Sequence, residues 1–238
     1  MVPTPRARTL LSSVQPALSQ LHSALADLAT FDPHHHQKTF TLGLRDVLEA
    51  TFLPHLMTRL QPYPGLNIVS QRVPRRAMEK QLAAGQLDFA IDVLLPVSAQ
   101  TRHQLLQQDR LVVLARPQHP LVNQGLTADA YLAARHVLVS SRSTGPGLED
   151  HALARQGWQR QVQLRCQHYF AACQVVAQTD LLLTMPQSYA RLLAPQHQLH
   201  MLAPPCTMPA IDVHLYWHRD YEQDPPLQWF RQLLPASA

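Results

Sequence analysis

The chain has 238 residues, 46% of them hydrophobic and 15% charged, which is material for one large or two small packed domains and excludes a disordered tail. Lys and Arg number 20 against 16 Asp and Glu, a net charge of +4, but only Lys38 and Lys80 are lysines and the arginines are scattered, so no nucleic-acid surface is built from them. Three cysteines without a C-x-x-C pair, seven glycines, and neither G-x-G-x-x-G nor G-x-x-x-x-G-K-[ST] exclude a disulfide framework, a cysteine-rich zinc module and the common nucleotide-binding loops.

The first predicted element is a helix from Thr4 to Leu28. Thr4 serves as a cap, and Pro5 fits the first turn, whose N–H has no partner in any case. Leu11, Val14, Leu18, Leu21, Leu25 and Leu28 then form a narrow apolar stripe on a helix about 35–40 Å long. Such a stripe reads as a dimer seam, bent at Pro16, with packing on the chain's own core as the alternative. Asp32 and Pro33 end the helix, and His34, His35 and His36 follow as a solvated linker, because adjacent imidazoles on a linker do not converge on one ion. Nothing in this segment has the unbroken apolar stretch of a secretory signal, and no run of about eighteen apolar residues follows, so a soluble cytoplasmic protein without a membrane partner is expected.

From Thr39 the chain alternates strand and helix. Thr39 to Gly43 is a predicted strand, and Asp46 opens a helix through Val47, Phe52, Leu53, Leu56 and Leu60. Leu66 to Gln71 is a second strand, Arg75 to Ala84 a helix ended by Gly85, and Leu87 to Val93 a continuously apolar strand. Arg110 to Ala115 follows as a strand, with Pro117 and Pro120 marking a crossing between lobes. The plan repeats with strands at His136 to Ser140, Gln161 to Gln167 and Leu181 to Met185, helices at Phe170 to Ala177 and Pro186 to Ala194, and a polar break from Ser141 to Gly147. Ile211 to His218 is a last strand, and Pro225 opens a terminal helix that returns to the first lobe. The expected architecture is α/β, two Rossmann-like lobes joined by two crossover strands behind a long linker helix. Its parts are residues 1–36, a first lobe of 37–116 and 218–238, and a second lobe of 117–217. Ligands in open parallel sheets bind beyond the carboxyl ends of strands, so the cleft between lobes is the expected site.

Several side chains fall at those strand ends. Asp46 complements the dipole of the helix it begins, either as a cap alone or as a site residue. Arg45 is placed to hold a carboxylate ligand, unless it is simply solvated. Ser141, in a run of hydroxyls from Ser140 to Thr144, offers hydrogen bonds to a small anion or belongs to a solvated loop. His168, Tyr169 and Phe170 stand at the strand-to-helix turn of the second lobe. Catalytic arrangements are missing: no G-x-S-x-G elbow and no H-E-x-x-H occur, and His214 and His218 would lie roughly 13 Å apart along one strand, too far to share an ion. No enzyme, cofactor or metal is expected.

The chain also resembles a family. Val2-Pro3-Thr4-Pro5-Arg6-Ala7 is similar to the start of the linker helix in LysR-type transcriptional regulators, Leu82-x-x-Gly85-x-Leu87-Asp88-x-Ala90-Ile91 to an internal turn of that family, and His119-Pro120-Leu121 to the segment after its crossover strand. Leu42-Gly43-Leu44-Arg45-Asp46 with Glu49, Phe52 and Pro54, Gln167-His168-Tyr169-Phe170, and Trp217-His218-Arg219 with Asp224-Pro225 and Trp229 resemble the branch holding regulators of aromatic-compound degradation and of nodulation. The resemblance implies a periplasmic-binding-protein-like fold and an aromatic or carboxylated effector held between the lobes by Arg45, Asp46, Phe52, Ser141, His168, Tyr169 and Phe170. It further implies assembly into a dimer or tetramer, promoter DNA reached through a winged helix-turn-helix ahead of Val2 that this chain does not carry, and RNA polymerase among the partners. A fragment of a longer regulator is expected ahead of a naturally shortened one. The alternative function is a stand-alone cytoplasmic small-molecule-binding protein on the same fold.

Overall fold

The computed structural model describes residue 14 and residues 31–234. The seam residues Leu11, Leu18, Leu21, Leu25 and Leu28 lie outside the described residues; Val14 is helical and exposed. The histidine run wraps around one carboxylate. His35 Nδ1 lies 2.6 Å from Asp32 Oδ2, and the rings of His34 and His36 pack on Tyr63 and Phe31.

Two five-stranded sheets follow, each built on the same plan. In the first, β1 (Lys38–Gly43) runs parallel to β2 (Leu66–Gln71) and β3 (Phe89–Val93), while β10 (Ile211–His218) runs antiparallel to β3 and to β4 (Thr101–Asp109), in the order β2-β1-β3-β10-β4. In the second, β6 (Arg135–Val139) is parallel to β7 (Gln161–Cys166) and β8 (Leu181–Pro186), and β5 (Leu111–Ala115) is antiparallel to β8 and to β9 (His200–Leu202), in the order β7-β6-β8-β5-β9.

Helices cover both faces of each sheet, which is why β3, β5 and β8 read as nearly unbroken apolar runs. On the first lobe α1 (Asp46–Leu60) and α8 (Pro225–Leu233) pack on one face. There Phe230 of α8 stacks on Phe89 at 5.2 Å and meets Phe40 at 4.4 Å between ring centroids, which returns the end of the chain to the first lobe as its apolar stripe requires. α2 (Arg75–Ala83) covers the other face through Met78 and Leu82. On the second lobe α6 (Tyr169–Gln178) and α7 (Gln187–Leu193) bury Val176, Cys173 and Leu193 against Leu114 and Leu183. The opposite face is closed by Tyr131 of α4 (Ala128–Ala133) and Leu153 of α5 (Leu148–Ala154). The short α3 (Pro120–Gln124) precedes α4.

The sheets correct the expected lobe boundaries. β5 belongs to the second sheet and β10 to the first, so one crossing is at Arg110 and the other between β9 and β10, not at residues 116–117 and 217–218. The prolines at 117 and 120 have a different use. Pro120 starts α3, and His119 caps that helix by accepting from the Leu121 N–H at 3.2 Å. At the true crossing, Asp109 accepts from the Ser188 hydroxyl at 2.6 Å and from its backbone N–H at 3.2 Å, capping α7 from a distant part of the chain.

Candidate functional site

α1 begins where β1 ends, and it begins against the other lobe. Val47 and Ala50 on its first turns pack on the second-lobe core, so the carboxyl end of β1 faces the carboxyl ends of β6 and β7. Arg45 is the residue before the first helical turn, with extended φ and ψ of −107° and 155°. Its Nη2 donates to Ser141 Oγ at 3.0 Å across the gap. Asp46 does not close its own helix end with a side-chain cap; its Oδ2 instead lies 3.3 Å from His168 Nδ1, which donates to it in the Nδ1–H tautomer. The acidic first turn, Asp46 with Glu49, still complements the helix dipole.

Both cross-lobe pairs are wet. The side chains of His168 and Asp46 are 57% and 48% exposed, so the pair is worth no more than about 1 kcal/mol and is easily exchanged for a ligand group. Deeper in the same gap, the Tyr169 ring meets Tyr189 edge-on at 5.8 Å. Burial, with the Glu149 and Asp46 carboxylates nearby, pushes the Tyr169 hydroxyl well above its usual range. Burial and Asp46 push Tyr189 the same way. Both phenols therefore remain neutral donors near pH 7. The Cys166 thiol is raised by burial and Cys173 is pushed up to about 12, so neither is a nucleophile at neutral pH.

Beside Arg45 the ends of β1 and β3 leave a shallow hollow lined by Gly43, Arg45, Val73, Arg75 and Asp92. Arg75 grips Asp92 there with two bonds of 2.7 Å. The loop after β6 is exposed and tied by two arginines: Arg165 donates to the Gly145 carbonyl and Arg142 to that of Pro146, each at 2.6 Å.

The structure thus brings Arg45, Asp46, Ser141, His168 and Tyr169 together between the lobes and leaves two expected residues elsewhere. Phe52 is buried in the first-lobe core and lines a separate small depression with His55, Arg59, Gln107 and Leu234. Phe170 is 53% exposed and turns edge-on to His197 on the outside of the second lobe. The reason is helical geometry: Tyr169 and Phe170 are neighbours in α6, about 100° apart around its axis, so when one faces the gap the other does not. Tyr189 and Arg75 escaped the sequence reading. Tyr189 does carry a signal, since it too follows a parallel strand by one helical turn.

Comparison with known proteins agrees with this architecture. Residues 33–238 match the family model described as the LysR substrate binding domain. The chain is 32% identical over 235 residues to the HTH-type transcriptional activator NahR of Pseudomonas putida, covering 98% of this chain and 78% of that protein. It is 32% identical over 234 residues to the HTH-type transcriptional activator NagR of a Ralstonia species, with the same 98% and 78% coverage. The solved transcriptional regulator PA0477 of Pseudomonas aeruginosa superposes with a TM-score of 0.80 at 31% identity, covering 100% of this chain and 80% of that one. The chain belongs to the LysR-type transcriptional regulators, and residues 33–238 are its effector-binding domain.

Proposed function

We propose that the gap bounded by Arg45, Asp46, Ser141, His168 and Tyr169 is the effector site, that its ligand is a small aromatic or carboxylated molecule, and that binding changes the relation of the two lobes within a self-associated regulator. The observation that carries this reading is the pair of weak bonds across the gap, Arg45 to Ser141 and Asp46 to His168. A carboxylate takes the Arg45 guanidinium in place of the Ser141 hydroxyl, since it offers two parallel bonds and an opposite charge where the hydroxyl offers one bond and none. An aromatic ring is received beside Tyr169 and Tyr189, which meet edge-on and keep neutral hydroxyls.

The effect on transcription is a population shift without chemistry. A ligand that binds one lobe arrangement more tightly than the other by about 1–3 kcal/mol moves the equilibrium five- to 150-fold, and DNA-binding heads like those in the names of the HTH-type relatives would report it. A thermal-shift panel of aromatic acids and their uncharged amide or alcohol analogues tests the reading. At least one acid should raise the melting temperature while its uncharged analogue does not. Equal shifts for both members of every pair, or none, would remove the carboxylate from the proposal.

A further inference from the structure

On the face of the first sheet that α2 covers, two imidazoles meet. His103 Nδ1 on β4 lies 3.0 Å from His214 Nδ1 on β10, with ring planes 64° apart and centroids 4.9 Å apart. An irregularity in the strand pairing creates this meeting. Val213 pairs with Gln107 but His214 pairs with Leu105, so β4 carries one extra residue, Leu106, at that point. In an unbroken register His103 would oppose Trp217 and point to the other face; the bulge sets it opposite Tyr216, on the face of His214.

We propose that His103 and His214 chelate a divalent transition ion, with Cu2+ preferred over Ni2+ and Ni2+ over Zn2+. Metal–imidazole bonds are about 2.05 Å, and two nitrogens 3.0 Å apart then subtend about 94° at the metal. That angle suits the right-angled sites of Cu2+ and Ni2+, whereas a tetrahedral Zn2+ needs a wider one. Both nitrogens must be free of protons.

The rest of the surroundings supply charge but not ligands. Asp212 accepts from Gln108 Nε2 at 2.9 Å, and Asp92, opposite His214 on β3, is held by Arg75. The Tyr216 hydroxyl is occupied by the Val93 carbonyl and the Leu95 N–H. Among the described residues no third histidine, cysteine or carboxylate completes a set, so water fills the remaining positions and the ion is exchangeable. Bound there, the ion would staple the edge strand β4 to β10.

Equilibrium dialysis of the 238-residue chain against Cu2+, Ni2+ or Zn2+ at pH 7.5 tests this, with wild type compared to His103→Ala and His214→Gln. Other histidines, including the run at 34–36, contribute equally to all three proteins. Wild type should hold one more Cu2+ in the micromolar range than either variant, and copper spin resonance should show two nitrogens on that ion. His103 is exposed, so a melt in chelator should match wild type for His103→Ala and secure the comparison even where His214→Gln folds poorly. Identical Cu2+ stoichiometry and affinity in wild type and His103→Ala would reduce the pair to a hydrogen bond and overturn the site.

Discussion

Arg160 is the most enclosed charge in the second lobe. Its side chain is 1% exposed, and it donates to Asp150 and Glu149 at 2.6 Å each, with the Tyr131 hydroxyl at 3.4 Å. Burial alone would raise Asp150, but Arg160 and the Gly147 N–H hold it below the usual carboxylate range. Removing the cation leaves buried carboxylates uncompensated, so Arg160→Met should cost about 3–5 kcal/mol in urea unfolding. A loss below 1 kcal/mol would mean that water reaches these carboxylates. His136 sits beside this network, donating from Nε2 to the Tyr131 carbonyl at 2.7 Å, and burial with the Arg160 charge lowers its pKa to about 4. An imidazole whose folded pKa is depressed takes up its proton more readily when unfolded. Stability therefore falls as pH drops from about 6.5 toward 4, by roughly 3 kcal/mol at most from this group. Unfolding curves at pH 7 and pH 5 should show that slope in wild type and a shallower one in His136→Gln; equal slopes would assign the acid sensitivity to other groups.

At the scale of elements, the strands that build the site were legible because their apolar runs are bounded by clear turn residues. Leu66 to Gln71 is legible to the residue, and strand ends together with the family resemblance point to Arg45, Asp46, Ser141, His168 and Tyr169, but equally to Phe52 and Phe170, which pack elsewhere. β4 was not legible. Its nine residues, Thr101 to Asp109, bury only Thr101 and Leu106, since an edge strand has little apolar alternation to show. Losing β4 also moves the expected crossing onto the segment of Pro117 and Pro120, the second of which starts α3. Asp109 was invisible for a related reason: it caps α7 across 79 residues of sequence, which no local pattern encodes. Asp109→Ala should destabilise the chain by about 1 kcal/mol through the lost cap. Chemical denaturation measures this, and a neutral result would show that the Ser188 N–H finds water instead.

For the whole molecule, two lobes on one plan meet through α1 and the two crossings, and exposed hydrogen bonds link their strand ends. The proposed self-association places the apolar stripe from Leu11 to Leu28 in a shared helical seam, so sedimentation should show at least a dimer and deletion of residues 1–33 should weaken it. A monomeric chain at high micromolar concentration would refute the seam. In the proposed site a carboxylated effector is held between Arg45 and His168. Calorimetry with the strongest aromatic acid from the thermal panel tests it most directly, on wild type, Arg45→Ala, His168→Ala and the outward-facing control Phe170→Ala. Loss of a partner to a charged ligand group costs about 1.5–3 kcal/mol, so the first two variants should bind about ten- to 150-fold more weakly while Phe170→Ala matches wild type. Equal affinity in all four proteins would place the effector somewhere other than the gap between the lobes.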